Sequence, residues 1–337
     1  MSHLVRLQAG ECFEVAAGET VLEAAFRAGV ALAHDCQLGG CGTCRARLIE
    51  GAVSYEEWPF ALTEKEASEG FALLCQARPQ CDLLVEPARA VEALPLPERH
   101  QAVIRSLRRF SPHVEHLVLE ITSCPSLAWR PGQHMNVVLD EGATRSFSMA
   151  SVPRYGLADF HIRRQHGGRF TDRGLAAARP GDALEVDIPC GSFVYHREDD
   201  RPLLMVATGT GLAPIKAMLE GLMDDPDCPP VSLYWGAREV SDLYLHDVIS
   251  GWGSRLYDFN YVPVLSRASA PNCRNGYVQD AILADFDDLS EHAIYLCGSP
   301  MMIAAALPAL LARGAVRERI YSEGFVAQAR DRVETGG

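Results

Sequence analysis

Lysine is almost missing from this chain. Of 31 basic residues only Lys65 and Lys216 are lysines, and the rest are arginines. A lone arginine is therefore a weak signal, and only an arginine inside a motif counts as a candidate. Positive charge is short altogether: against 44 acidic residues the formal net charge is −13, which argues against nucleic acid as a partner. No apolar run reaches the roughly 18 to 20 residues of a membrane span, so no membrane association is expected. The opening MSHLVRLQAGE has no basic start followed by an apolar core, so no secretion signal is expected. Internal repeats and low-complexity segments are also missing. What is left is a globular chain of 337 residues, 48% hydrophobic, long enough for two or three domains.

Cysteine, by contrast, is plentiful. Eleven in a chain with no signal point to a reducing, cytoplasmic setting, where thiols stay reduced and metal ligation outweighs disulfides. Three of them crowd into HDCQLGGCGTCRARL: Cys36, Cys41 and Cys44, spaced C-x4-C-x2-C, with Cys75 following 31 positions on. This is the plant-type [2Fe–2S] spacing. Zinc sites more often show two close C-x2-C pairs, and a loop of buried free thiols is the bland alternative. Gly39, Gly40 and Gly42 suit a chain that must take positive φ angles and bring its amides close to sulfur. The remaining Cys12, Cys81, Cys124, Cys190, Cys228 and Cys273 lack such spacing and read as small core or surface residues.

The flanks fit. LVRLQ and CFEV alternate like a hairpin broken at AGE. GETVLEAAFRAGV offers Thr20 as N-cap with Glu23 three positions on, so a helix follows. ALPLPERH, with two prolines, reads as a linker. Beyond it, QAVIRSLRRFSPHVEHLVLEI, GQHMNVVL, RSFSMAS, ADFHIRR and DALEVDI are short alternating runs that predict a six-stranded antiparallel barrel. After about residue 200 the pattern changes. PLLMVA, VSLYWGA, NYVPVLS and AIYLCGS are apolar strands separated by helical stretches, which predicts a parallel α/β sheet.

Two glycine turns stand at strand ends of that last part. Gly209-Thr210-Gly211 offers backbone amides and a helix start to a pyrophosphate, although Pro214 occupies the place of a third glycine and an ordinary turn would look the same. CGSPMM, with Cys297 and Gly298, is the second, and its uncharged, polarizable sulfur suits a place beside a nicotinamide ring. Upstream, RSFS puts Arg145, Phe147 and Ser148 on one strand. Arginine can grip a phosphate with two hydrogen bonds, though a solvated arginine beside a core phenylalanine is the alternative. GGRFT can add amides to the same phosphate.

In this order the motifs closely resemble the ferredoxin–NADP reductase superfamily, in particular single-chain reductase components of bacterial multicomponent oxygenases. The resemblance spans nearly the whole chain. It implies a β-grasp [2Fe–2S] ferredoxin domain over residues 1–92, a linker over 93–99, a six-stranded β-barrel FAD domain over 100–200 and an NAD(P)-binding α/β domain over 201–337. It implies cluster ligation by Cys36, Cys41, Cys44 and Cys75, and an FAD pyrophosphate held by Arg145 with Gly168 and Thr171. Ser148 should approach the flavin N5, while Phe147 stands where the family usually has tyrosine. Gly209, Thr210 and Gly211 match the nicotinamide-nucleotide loop, and Cys297 with Gly298 the C-G-x-P turn. SEGF matches a terminal segment that sets Phe325 by the flavin, and the tail VAQARDRVETGG after it is expected to be frayed.

The implied activity is that of an NAD(P)H-dependent iron–sulfur flavoprotein oxidoreductase, carrying electrons from NAD(P)H through FAD and [2Fe–2S] to a terminal oxygenase. Direct reduction of free flavin or a deoxysugar intermediate is the enzymatic alternative, and a ferredoxin-type carrier the non-enzymatic one. Residues 1–92 hold 14 acidic and 7 basic residues, a surface that would suit a basic patch on the acceptor. NADH is expected over NADPH, because Asp242 would repel a 2′-phosphate and because the two candidate cations, Arg238 and Arg267, lie on different loops.

Overall fold

The computed structural model describes residues 2–34, 36–88, 97–140 and 143–325. Three main sheets follow one another along the chain.

In the first, β1 (His3–Leu7) and β2 (Cys12–Val15) form the expected hairpin. Thr20 caps α1 (Val21–Arg27). Its hydroxyl accepts the Glu23 amide at 3.2 Å while the Glu23 carboxylate accepts the Thr20 amide at 2.8 Å, a reciprocal pair worth about 1 kcal/mol. The cysteine loop leads to β3 (Arg45–Glu50), β4 (Val53–Ser54), α2 (Glu64–Ser68), β5 (Phe71–Leu73), β6 (Arg78–Pro79) and β7 (Leu83–Pro87). The sheet order is β2-β1-β7-β3-β5, with β7 parallel to β1 and the other pairs antiparallel. That is the β-grasp arrangement, closed over a core that includes Val5, Phe13, Leu22, Leu73 and Val85.

The second sheet contains β8 (Glu98–Ser111), β9 (Val114–Ile121), β10 (His134–Val138), β11 (Thr144–Ser148), β12 (Leu157–Arg163) and β13 (Ala183–Cys190). Its order is β11-β10-β13-β8-β9-β12, antiparallel throughout. A Met149↔Phe160 bridge joins the two outer strands and closes the barrel. Glu98 and Arg99, placed in the linker by their prolines upstream, already pair with Ile188 and Asp187 of β13. Residues 93–96 of that linker lie outside the described residues, as does the tail after Phe325. A helical turn over Arg169–Gly174 and α3 (Leu175–Ala177) separate β12 from β13.

The third sheet alternates with helices: β14 (Leu203–Thr208), α4 (Leu212–Leu222), β15 (Val231–Ala237), α5 (His246–Ser250), β16 (Phe259–Leu265), β17 (Arg274–Asn275), α6 (Val278–Asp285), β18 (Ala293–Gly298), α7 (Pro300–Ala312) and β19 (Ile320–Gly324). All strands are parallel in the order β17-β16-β15-β14-β18-β19. Both faces are covered, which is why β14 reads as an unbroken apolar run. Leu203, Met205 and Ala207 enter one core and Leu204 and Val206 the other. The order reverses between β15 and β18 on either side of β14, so a ligand crevice is expected at the carboxyl ends of β14 and β18. No helix among the described residues is long and apolar enough to cross a membrane.

Candidate functional site

Of the four candidate cluster ligands, Cys41 and Cys75 lie beside Cys44, and the loop of Cys36 comes to the Cys75 side where Gln76 Nε2 donates to the Gln37 carbonyl at 2.8 Å. Cys41, Cys44 and Cys75 are buried and Cys36 is half-buried. The Leu38 and Gly40 amides donate to Cys36 Sγ at 3.4 and 3.3 Å, the amide-to-sulfur contact that an iron–sulfur ligand requires. Gly39 and Gly42 take φ of +70° and +74° as the motif demands, but Gly40 is not left-handed. Cys75 beside it and burial push the Cys44 thiol well up. Such crowded thiols become a good site once a cation deprotonates them, and this donor chemistry fits a cluster. Among the described residues no three His, Cys, Asp or Glu side chains converge on a single-ion site.

The RSFS strand is β11. Ser148 pairs with His134 of β10, Phe147 with Met135 and Arg145 with Val137. Phe147 packs on Phe170 with ring centroids 5.3 Å apart, and Phe170 belongs to the helical turn that GGRFT opens. Gly168 caps that turn, and a Cβ there would strike Thr171 Oγ1 at 2.3 Å. Phe147, Gly168 and Thr171 thus come together around Phe170, while half-buried Arg145 uses Nη1 to donate to the Thr144 carbonyl at 2.6 Å.

The two glycine turns lie against each other. Gly209 takes φ +54°, and a Cβ there would lie 3.8 Å from Arg163 Nη1, an ordinary contact. Gly211 has no such room: a Cβ there would lie 2.2 Å from the Cys297 carbonyl, and one on Gly298 would lie 2.3 Å from Thr208 Oγ1. Their smallness serves turn-on-turn packing, whereas Gly209 and Thr210 stay partly exposed. Thr208, which lies outside both motifs, ties the turns together by accepting the Ser299 amide at 2.9 Å.

Barrel and nucleotide sheet converge on one residue that is not among the candidates of the sequence motifs. Glu323, on β19 and 7% exposed, accepts from Ser148 Oγ at 3.0 Å and from Cys297 Sγ at 3.7 Å. Its other oxygen lies 3.5 Å from His134 Nδ1. Burial and the neighbouring Glu323 carboxylate push the Cys297 thiol well up, so its sulfur stays neutral. The acid of SEGF was the available signal. Phe325, just beyond it, donates its amide to the Gly298 carbonyl at 2.8 Å and is 40% exposed. On the opposite face of β19, Ser322 Oγ donates to the Cys41 carbonyl at 2.7 Å. Ser148, Cys297 and the cluster loop therefore adjoin two successive residues of one strand.

Asp242 is buried at 8% exposure, whereas Arg238 and Arg267 are exposed. The two arginines are not apart: the Arg267 amide donates to the Arg238 carbonyl at 3.1 Å. Loops distant in sequence are brought side by side because β15 and β16 are neighbours in the sheet. A cleft of about 660 Å³ lined by Arg109, Glu115, Arg164 and Arg179 contains none of the candidate residues; there Glu115 pairs with both Arg109 and Arg164.

Known families match these three sheets in turn: a 2Fe-2S iron-sulfur cluster binding domain over residues 6–80, an oxidoreductase FAD-binding domain over 101–195 and an oxidoreductase NAD-binding domain over 205–307. The electron transfer component of toluate 1,2-dioxygenase from Pseudomonas putida is 34% identical over 93% of this chain and 94% of its own. Reductase component 1 of terephthalate 1,2-dioxygenase from Comamonas is 31% identical over 96% and 98%. Among solved structures, the cytochrome P450 reductase GcoB of Amycolatopsis superposes with a TM-score of 0.71 at 29% identity, over 96% of this chain and 99% of that one. With cluster, flavin and nucleotide domains present in this order, the chain belongs to the ferredoxin–NADP reductase superfamily as an NAD(P)H-dependent flavin and iron–sulfur oxidoreductase.

Proposed function

We propose that this chain is the reductase of an oxygenase system: it takes hydride from NADH and delivers single electrons through its cluster to a terminal oxygenase. The observation that carries this reading is β19, where Ser322 is bonded to the cluster loop and Glu323 to Ser148. A cluster wired this closely to the flavin position supports one-electron output more than direct reduction of a small molecule. The names of the oxygenase components among its relatives support the acceptor. The acidic ferredoxin domain supports it too, as do the exposed Leu38, Trp58 and Phe60 around the half-buried Cys36. The Gly39–Pro59 approach, 2.9 Å for a Cβ on Gly39, brings that loop beside the cluster loop. Neither nucleic acid nor membrane is proposed as a partner, and the reduced cysteines suit the cytoplasm.

In this reading residues 1–92, 100–200 and 201–337 are the three functional domains. Cys36, Cys41, Cys44 and Cys75 hold the cluster. Arg145 grips the FAD pyrophosphate with the help of Gly168 and Thr171, and Phe147 packs on the flavin. Gly209, Thr210 and Gly211 take the pyridine nucleotide, while Cys297, Gly298 and Phe325 bound the place where nicotinamide meets flavin. Bound FAD supplies the exchange between one two-electron hydride and two single electrons. The protein's part is to aim and to manage a proton. Ser148 Oγ faces the flavin position and donates to Glu323, so a proton at Oγ has an acceptor 3.0 Å away. The neutral Cys297 sulfur fills the nicotinamide side without adding charge.

A second reading of the donor, NADPH, is favoured by the adjoining backbones of Arg238 and Arg267, because two exposed arginines on neighbouring loops suit a 2′-phosphate. Cytochrome c reduction with NADH and NADPH compared, then repeated with candidate oxygenases, tests both. A higher kcat/KM for NADPH, lost in Arg267→Ala, selects the second donor. Failure of any protein acceptor to turn over, with free flavin reduced rapidly, overturns the oxygenase reading.

A further inference from the structure

The ferredoxin domain is fastened to the nucleotide-binding domain through one buried carboxylate. Glu66, on α2 and 4% exposed, uses Oε2 to accept the Thr63 amide at 2.9 Å and Oε1 to accept from Arg317 Nε at 2.7 Å. Arg45 Nε lies 3.0 Å from the same Oε1 as an ion pair, off the line of a hydrogen bond. Arg45 is itself buried, lies over the Phe71 ring at 3.6 Å and reaches Glu318 at 3.5 Å. The far end of Arg317 donates to the Ala61 carbonyl at 3.2 Å. Arg317 and Glu318 stand just before β19, on the nucleotide-binding side.

Around this clamp the cluster loop meets the strand. A Cβ on Gly42 would stand 3.0 Å from Arg317 Nη2, and one on Gly324 would stand 3.1 Å from the Gly40 carbonyl. Between them the Cys41 carbonyl accepts from Ser322. Three consecutive loop residues thus touch three positions of the segment 317–324. This accounts for glycine at 324, where a Cβ would press on the Gly40 backbone. Buried charges are costly to leave unpaired, so removing one partner is far worse than never having made the pair. Arg45 pairs with Glu66 inside one domain, but Arg317 reaches that carboxylate only when the domains meet in this register.

We propose that Glu66, gripped by Arg45 of its own domain and Arg317 of the next, is a latch that holds the Cys41 side of the cluster loop on β19 and thereby sets the rate of internal electron transfer. The proposal rests on the reading above that electrons pass from flavin to cluster. Each transfer oxidises the reduced flavin by one electron and reduces the cluster by one, and no atom moves between them. Such a step falls off steeply with distance, so a seam that keeps the loop on the strand controls it. Glu66, Arg45 and Arg317 are positioning residues; Cys36, on the half-buried side of the loop, leaves the outgoing direction open while the latch stays closed.

The test uses the holoprotein carrying FAD and cluster. Arg317→Ala breaks the latch from the nucleotide side and leaves the Thr63–Glu66 capping box intact; Arg317→Lys keeps the charge; Glu66→Gln is the second disrupting variant. Iron, sulfide and FAD content are measured first. Hydrogen exchange then reports amide protection in residues 36–44 and 320–324, and stopped-flow absorbance follows flavin bleaching by NAD(P)H and the cluster reduction that comes after it. Expected for Arg317→Ala and Glu66→Gln are full cofactor content, unchanged flavin bleaching, lost protection in both segments and cluster reduction slowed about tenfold or more. Arg317→Lys recovers most of both. Retained protection overturns the latch, and so does lost protection with cluster reduction at the parent rate. If the parent's flavin bleaches and its cluster is never reduced, the electron-transfer reading falls instead, and the exchange data alone then decide whether Glu66 holds the domains together.

Discussion

Ser148 Oγ and Glu323 Oε2 lie 3.0 Å apart across 175 residues of sequence, joining the flavin barrel to β19 of the nucleotide sheet. Both side chains are buried, so their hydrogen bond is shielded from water and each leans on the other. Glu323→Gln keeps the shape and removes the charge and the proton acceptor. The FAD content is expected to stay full while reduction by NAD(P)H slows by about a hundredfold, read as flavin bleaching in single-turnover stopped flow. Bleaching at the parent rate would remove Glu323 from the chemistry.

Cys41→Ser separates the two halves of the electron path. The variant is expected to retain FAD, lose the visible and EPR signals of [2Fe–2S], reduce ferricyanide at near the parent rate and fail with cytochrome c. A full complement of iron and sulfide in the variant would contradict the ligand assignment.

Arg145→Ala removes a charge-assisted phosphate contact worth roughly 1.5 to 3 kcal/mol. FAD affinity is expected to fall about tenfold or more, and the protein to emerge from gel filtration depleted of flavin. Phe147→Tyr should bind FAD at least as tightly as the parent, because the new hydroxyl can reach ribityl or phosphate while the ring still packs on Phe170. Extraction of FMN alone from the parent would refute the FAD assignment.

His161 makes stability depend on pH. It lies buried where the barrel meets Tyr244 of the nucleotide-binding domain, its Nδ1 3.1 Å from the tyrosine hydroxyl. Burial first, then Lys216 and His116, hold its pKa well below the ordinary 6.5. The folded state therefore refuses a proton that the unfolded chain accepts. Its contribution is complete above the unfolded pKa and is lost as pH falls below it, by at most about 1.4 kcal/mol per pH unit. Thermal melts from pH 8 to 5 should show a steeper acid-side fall in the parent than in His161→Gln. Parallel curves would show that His161 titrates normally.

Much of the molecule was legible because it is written locally. The cysteine spacing, the Thr20–Glu23 capping box and the apolar run of β14 each fit within one element. β19 was not read as a strand, since Ser322 and Glu323 look like loop residues. They are buried only because the barrel and the cluster loop supply hydrogen-bond partners from far along the chain. The latch was invisible for the same reason: Glu66 and Arg317 are 251 positions apart, and nothing near either announces the other. Arg238 and Arg267 lie on different loops, as expected, but strand order in a parallel sheet makes those loops neighbours.

Gly211 and Gly298 sit where the two turns at the strand ends press together, with no room for even a methyl group. Packed that tightly, the turns cannot be widened or re-aimed separately: a change in one is handed to the other. Directed evolution toward bulkier or altered pyridine nucleotides should therefore leave both turns untouched and accumulate changes at the outer loops around Arg238 and Arg267, where side chains reach solvent and the backbone has slack. The hydride end of the crevice is in effect the inherited, rigid part of the nucleotide site, and the adenosine end the part free to diverge.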